Sequence, residues 1–209
     1  MDIQFYGANC VSVNYKSTRI VVDDNLTVLG AKSVSKSGDV LLSTAKDSQN
    51  PSIEPKIAIN CPGEYEVADI SIVGIPARSH IDQDNTFNTT MYKIAAADIT
   101  CLVTGHIYPK LNEEQLEIIG TIDVLVLPVG GHGFTLDPEG ALTVIKELEP
   151  KLVIPTHYAD SKLNYPMPQL DLAMIVKDLG MEPQQTISKL HLKPTDFDDV
   201  TKLVVVTKS

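Results

Sequence analysis

Asp123-Val124-Leu125-Val126-Leu127-Pro128-Val129-Gly130-Gly131 is a near-continuous apolar run closed by a double glycine, and Pro150-Lys151-Leu152-Val153-Ile154-Pro155-Thr156-His157-Tyr158 repeats the pattern. Short, uninterrupted apolar runs of this kind read as strands covered on both faces, the habit of parallel sheets. Between them, Asp137-Pro138-Glu139 opens a helix: an acceptor side chain at the cap, a proline in the first turn and an acid near the positive end of the dipole. Ala141, Val144, Ile145 and Leu148 follow at helical spacing. Strand, helix, strand is a crossover unit, and it sets the class as α/β.

Outward from this unit the pattern changes. Upstream lie short strands at Cys10 to Tyr15, Arg19 to Val22, Val40 to Ser43, Ile57 to Ile59, Tyr65 to Val67, Ile70 to Ile75, Met91 to Ala95 and Ile99 to Thr104. Met1-Asp2 leads directly into a further strand-like segment, and no signal peptide is expected there. Residues 25–38 read as a loop or a frayed helix. Asn112-Glu113-Glu114-Gln115 resembles a capping box that opens a helix through Ile119. Downstream, Pro168 to Leu179 reads as a helix stopped by Gly180, and Lys189 to Leu192 and Leu203 to Val206 as strands. Strands first and alternation later fit one domain over residues 1–209, two sheets with helices outside.

The 209 residues are 43% hydrophobic and 21% charged, which excludes a disordered or fibrous chain. No apolar run reaches the ~18 residues of a membrane span. Lys and Arg number 17 against 27 Asp and Glu, a net charge of -10, and no basic cluster stands ready for a phosphate backbone. Nucleic acid and membrane are therefore not expected as partners; a small molecule, a protein or a second copy of the chain in a homo-oligomer stays open. Cys10, Cys61 and Cys101 are odd in number and scattered, as expected of reduced, mostly buried thiols in a cytoplasmic protein.

Four of the five histidines fall at or just beyond the carboxyl ends of apolar runs: His80, His106, His132 and His157. Ligands collect at such ends because the loops there converge on one rim. Imidazole is also the commonest transition-metal ligand. The sequence carries no nucleophile elbow, no phosphate-binding lysine loop and no dinucleotide glycine pattern.

The paired segments quoted first, joined by Pro62-Gly63-Glu64-Tyr65-Glu66-Val67 and Arg19-Ile20-Val21-Val22-Asp23, resemble the metallo-β-lactamase-fold hydrolases, and most of all their small lactonase-like prokaryotic branch. The resemblance runs from about Ile3 to Val206. It implies an αββα sandwich of two mixed sheets with a metal site, usually two zinc ions, at one rim. There a metal-bound hydroxide attacks an ester, lactam, thioester or phosphodiester. The family's His-x-His-x-Asp-His motif belongs after the strand ending at Thr44. Here the chain reads Ala45-Lys46-Asp47-Ser48-Gln49-Asn50, with every ligand of the motif replaced. His80 and His157 match later ligand positions, and His106 replaces the bridging aspartate.

Two expectations follow from that mixture. The first is a member whose two-zinc motif is lost, non-catalytic or divergent, with no cofactor. The second is a metal-dependent hydrolase with one zinc or other divalent transition ion on His80, His106 and His157, His132 as a fourth candidate, and Asp47 or Asp82 as the base.

Overall fold

The computed structural model describes residues 1–45, 53–79, 81–84 and 86–209. Its centre is the crossover unit. Strands β10 (Val124–Pro128) and β11 (Leu152–Thr156) pair in parallel, Val124 opposite Leu152 through Pro128 opposite Thr156, and all ten residues are buried. β9 (Ile99–Val103) continues the sheet in parallel beside β10, and β14 (Lys202–Val206) beside β11. Beyond β9, the antiparallel hairpins of β8 (Thr89–Ala96), β7 (Ile70–Ala77) and β6 (Gly63–Val67) complete one side. β12 (Pro183–Ile187) forms the other edge of this eight-stranded sheet.

β12 was not foreseen. Its Pro-Gln-Gln-Thr-Ile lacks apolar alternation because it lies at an edge with its middle residues exposed. A leading proline costs nothing at such a place.

A second sheet of six strands runs in the order β13 (Leu190–His191), β1 (Asp2–Gly7), β2 (Cys10–Tyr15), β3 (Thr18–Val22), β4 (Val40–Leu42) and β5 (Ile57–Ile59). Its inward residues, among them Ile3, Val13, Ile20 and Leu42, meet Ile72, Tyr92, Val126 and Ile154 of the larger sheet in one apolar layer. The alternation of side chains along each strand makes this possible. The expected sandwich of two mixed sheets is thus what the chain forms.

Among the described residues, the three α-helices pack on the outer face of the eight-stranded sheet. α1 (Glu113–Ile119) has the foreseen capping box: Gln115 N–H donates to Asn112 Oδ1 at 2.8 Å, and Asn112 N–H to Gln115 Oε1 at 2.9 Å. Lys93 of β8 reaches its far end and donates Nζ to the carbonyls of Ile118 and Ile119. A cation there complements the negative end of the dipole. α2 (Pro138–Leu148) is capped by Asp137, which accepts from Gly140 N–H at 2.8 Å, and buries Ala141, Val144, Ile145 and Leu148.

α3 (Leu172–Leu179) is shorter than the expected 168–179, because Asp171 accepts from Ala173 N–H and so starts the helix only after itself. The residues before it bond elsewhere: Leu170 N–H donates to Gly130 O and Ala159 N–H to Leu170 O.

The outer face of the six-stranded sheet is covered differently. Leu26 and Leu29, from the loop after β3, pack with Leu163 over Ala8, Cys10, Val21 and Leu41. One carboxylate oxygen folds that loop: Asp24 Oδ2 accepts from Ser33 Oγ at 2.6 Å, Val34 N–H at 2.9 Å and Ser35 N–H at 2.7 Å. Cys10 and Cys101 are buried as expected, whereas Cys61 is exposed, its Sγ 3.3 Å from the Tyr65 hydroxyl. Among the described residues no helix is long and apolar enough to cross a membrane.

Val126 is fully buried between the sheets, so Val126→Asp tests the arrangement. Deep burial raises a carboxyl pKa by up to roughly 3–5 units. At about 1.4 kcal/mol per unit, and only until the group is protonated at pH 7, the cost is about 4 kcal/mol, a large share of a domain's stability. Denaturant titration should find the variant unfolded or close to it. A midpoint equal to the wild type's would refute the placement.

Candidate functional site at the rim between the sheets

The strands of the two sheets end together at one rim, and a chain of buried hydrogen bonds ties those ends. Asp23, just beyond β3, lies 7% exposed in a left-handed conformation. Its Oδ1 accepts from Thr44 N–H at 2.7 Å, and its Oδ2 from the Thr44 hydroxyl and Asn9 Nδ2, both at 2.6 Å. Asn9 Oδ1 in turn accepts from the Thr156 hydroxyl of β11 at 3.0 Å. Burial pushes the Asp23 carboxyl above its ordinary value, against the pull of the Thr44 and Asn9 hydrogen bonds.

The chain after β9 passes close to this network. Gly105 has φ +64°, and a Cβ there would stand 2.5 Å from both Cβ and Oγ1 of Thr44. Only glycine lets the backbone through to deliver His106.

His106 and His157 meet at the rim with ring centroids 4.7 Å apart in an edge-on arrangement. Phe134 lies 4.9 Å from His106 and 5.9 Å from His157, and Tyr165 lies 5.1 Å from His157. His157 is 4% exposed and takes a left-handed φ of 58°, held by its N–H to Ala8 O at 2.7 Å. That conformation costs a non-glycine residue of order 1 kcal/mol or more, so the position is over-determined by its surroundings. Its ring Nδ1 is 3.1 Å from Gln169 Oε1. Burial pushes the His157 pKa below the usual imidazole value, opposed by the Gln169 hydrogen bond, so the ring is neutral at pH 7.

The other candidates fare differently. His132 is exposed in the glycine loop after β10. Asp82 is engaged in shaping its own loop: Oδ2 accepts from Ser79 N–H at 2.8 Å, and Oδ1 from Asn88 Nδ2 at 2.9 Å. Partial burial works to raise its pKa, but the hydrogen bonds from Asn88 and Ser79 outweigh it and hold the carboxyl below the usual range. A carboxyl so stabilised as the anion is a weak base. His80, Lys46 and Asp47, and with them the stretch after Ala45, lie outside the described residues. Among the described residues no group of three or more His, Cys, Asp or Glu side chains is gathered closely enough to hold a metal ion. Gln169, Asn9 and Thr44 escaped sequence reasoning; the signal for Gln169 was Asp171, a helix cap that leaves residue 169 outside the helix.

Two stacked mixed sheets with a histidine rim between them define the metallo-β-lactamase fold. Residues 2–157 match the family described as the beta-lactamase superfamily domain, and the chain belongs to it. It is similar to a UPF0173 metal-dependent hydrolase of Pyrococcus horikoshii, 34% identical over 100 residues, 46% of this chain and 44% of the relative. It is also similar to one of Thermococcus kodakarensis, 48% identical over 116 residues, 53% and 50% of the two chains. The matched stretch thus spans about half the length of these curated relatives or less. A crystal structure described as a Zn-dependent hydrolase of the metallo-β-lactamase superfamily from Thermotoga maritima superposes with a TM-score of 0.76 at 24% identity, over 99% of this chain and 98% of that one. A metallo hydrolase of Ignicoccus hospitalis gives 0.61 at 19% identity, over 86% and 90%. At these identities the structural likeness is one of fold.

Asp23→Ala would leave three buried donors, Thr44 N–H, Thr44 O–H and Asn9 N–H, without their acceptor. At roughly 1–3 kcal/mol for each unmet buried group, the loss is about 3 kcal/mol or more. Urea unfolding measures it, and a variant as stable as the wild type would show that the network does not tie the rim.

Proposed function

We propose that this chain is a divergent member of the metal-dependent hydrolase group, one that lacks the two-metal centre and keeps the sandwich as a cytoplasmic binding, scaffold or regulatory module. The observation that carries this reading is the ligand inventory. After Thr44 the chain offers Ala45-Lys46-Asp47-Ser48-Gln49-Asn50, without a histidine, and the buried carboxylate nearest that strand end, Asp23, has both oxygens taken by Thr44 and Asn9. Position 106, where a bridging carboxylate would neutralise two adjacent cations, is a histidine. Two neighbouring divalent ions need anionic ligands, and these residues do not fit them.

A second reading is favoured by one observation, the 4.7 Å approach of His106 and His157. Together with His80 they would form a three-imidazole set for a single zinc, nickel or copper ion, with a fourth position left for water. Such an ion supplies Lewis acidity and an activated water. In that reading Asp47 is the carboxylate left to act as base, since Asp82 is occupied by Ser79 and Asn88.

Calorimetric titration of zinc into chelator-treated full-length protein separates the readings. The leading one expects no saturable uptake at micromolar zinc and no β-lactam hydrolysis. One ion per chain, lost in His106→Ala, would establish the single-ion site instead. Two tightly held ions per chain would refute both.

A further inference from the structure

The oxygen and nitrogen of the Gln169 amide are distinguished by their neighbours. Its Nε2 lies 2.9 Å from Met167 O, a backbone carbonyl that can only accept, so the NH₂ group must point there. The oxygen is then the atom 3.1 Å from His157 Nδ1. An amide oxygen has no proton to give, so the proton between the two atoms belongs to Nδ1.

The space for this contact is made by Gly130. A Cβ there would lie 2.0 Å from Gln169 Oε1 and 2.2 Å from His157 O. Two oxygens therefore crowd the volume that any other residue would fill. The backbone on either side is fixed as well, by Leu170 N–H to Gly130 O at 2.8 Å and by His157 N–H to Ala8 O at 2.7 Å. Gln169 is thus locked at its amide, at its following residue and at the glycine beneath it.

We propose that Gln169 is a positioning residue that holds His157 as its Nδ1–H tautomer, leaving Nε2 as a permanent lone-pair nitrogen at the rim beside His106. A neutral imidazole that accepts only through Nε2 takes a divalent transition ion or a hydrogen-bond donor, and it turns away an anion or a carbonyl oxygen. The ligand class is therefore an electron-pair acceptor. This rests on the reading that the rim is the chain's ligand site, but the lock itself exists without metal and can be measured without it.

The test is nitrogen-15 NMR of the imidazole groups in chelator-treated full-length protein at pH 8, where the ring is neutral. The expected wild-type spectrum shows His157 Nδ1 protonated and Nε2 bare. Gln169→Leu, which removes the acceptor while keeping similar bulk, should give a mixture of tautomers. Gln169→Glu, which can only accept, should restore the proton to Nδ1. A wild-type ring protonated at Nε2 would overturn the lock, and that measurement needs no variant to fold. A Leu variant that keeps its proton wholly on Nδ1 would overturn it too. Added zinc distinguishes the source of the acceptor: an ion bound through Nε2 shifts that resonance and leaves Nδ1 protonated, whereas coordination through Nδ1 refutes the proposal. If no zinc is taken up, the single-ion reading fails, and the metal-free tautomer still decides the lock.

Discussion

Buried polar groups hold the two sheets in register at the rim. Thr156 gives its hydroxyl proton to Asn9, Asn9 gives an amide proton to Asp23, and Asp23 takes two more from Thr44. The apolar layer between the sheets pulls them together but is nearly indifferent to small slides, because burial is proportional to area and has no direction. Hydrogen bonds to a carboxylate are directional and expensive to break in a low dielectric. The relation of β11 to the ends of β3 and β4, and hence of His157 to the rest of the rim, is therefore set by this short chain of side chains.

The parts of the molecule legible from sequence are those whose determinants are local. The crossover unit shows itself because Val124 to Leu127 and Leu152 to Ile154 are apolar on both faces and Asp137-Pro138 caps the helix between them, just as Asn112 to Gln115 cap α1, by contacts within four residues. β12 was missed since a polar edge strand carries no alternation to read. At the site, His106 and His157 were found from their places after strands, and Asp23 was noticed only as the end of its strand. Its partners Asn9 and Thr44, and Thr156 behind Asn9, come from three other segments, and nothing in a one-dimensional pattern links them. Gln169 was absorbed into a helix reading, although the cap at Asp171 had already excluded it.

The two histidines that meet are held by unequal means. His157 is fixed by its backbone, its ring and the glycine facing it. His106 is delivered by a glycine that clears Thr44, and its ring rests on those of Phe134 and His157. A rim so arranged has strict requirements on small residues: Gly105 and Gly130 are needed for what passes next to them rather than for flexibility.

The unequal cladding of the two sheets has a consequence for how the molecule opens. One outer face is covered by three helices whose backbone hydrogen bonds are internal, so removing any of them means unfolding a cooperative unit. The other is covered by an irregular loop, held by short backbone turns between Asn25 and Ala31 and by one oxygen of Asp24 at Ser33 to Ser35. Most backbone bonds of that loop are local turns, with Asn164 N–H to Leu29 O and Gly38 N–H to Glu54 O among those that tie it to other segments, and local stability scales with such ties and with buried apolar contacts. The protein should therefore breathe on one side: Val21 and Leu41 beneath the loop become wet long before the helical face does, and the strand ends carrying Asp23 and Thr44 lie on the side that breathes.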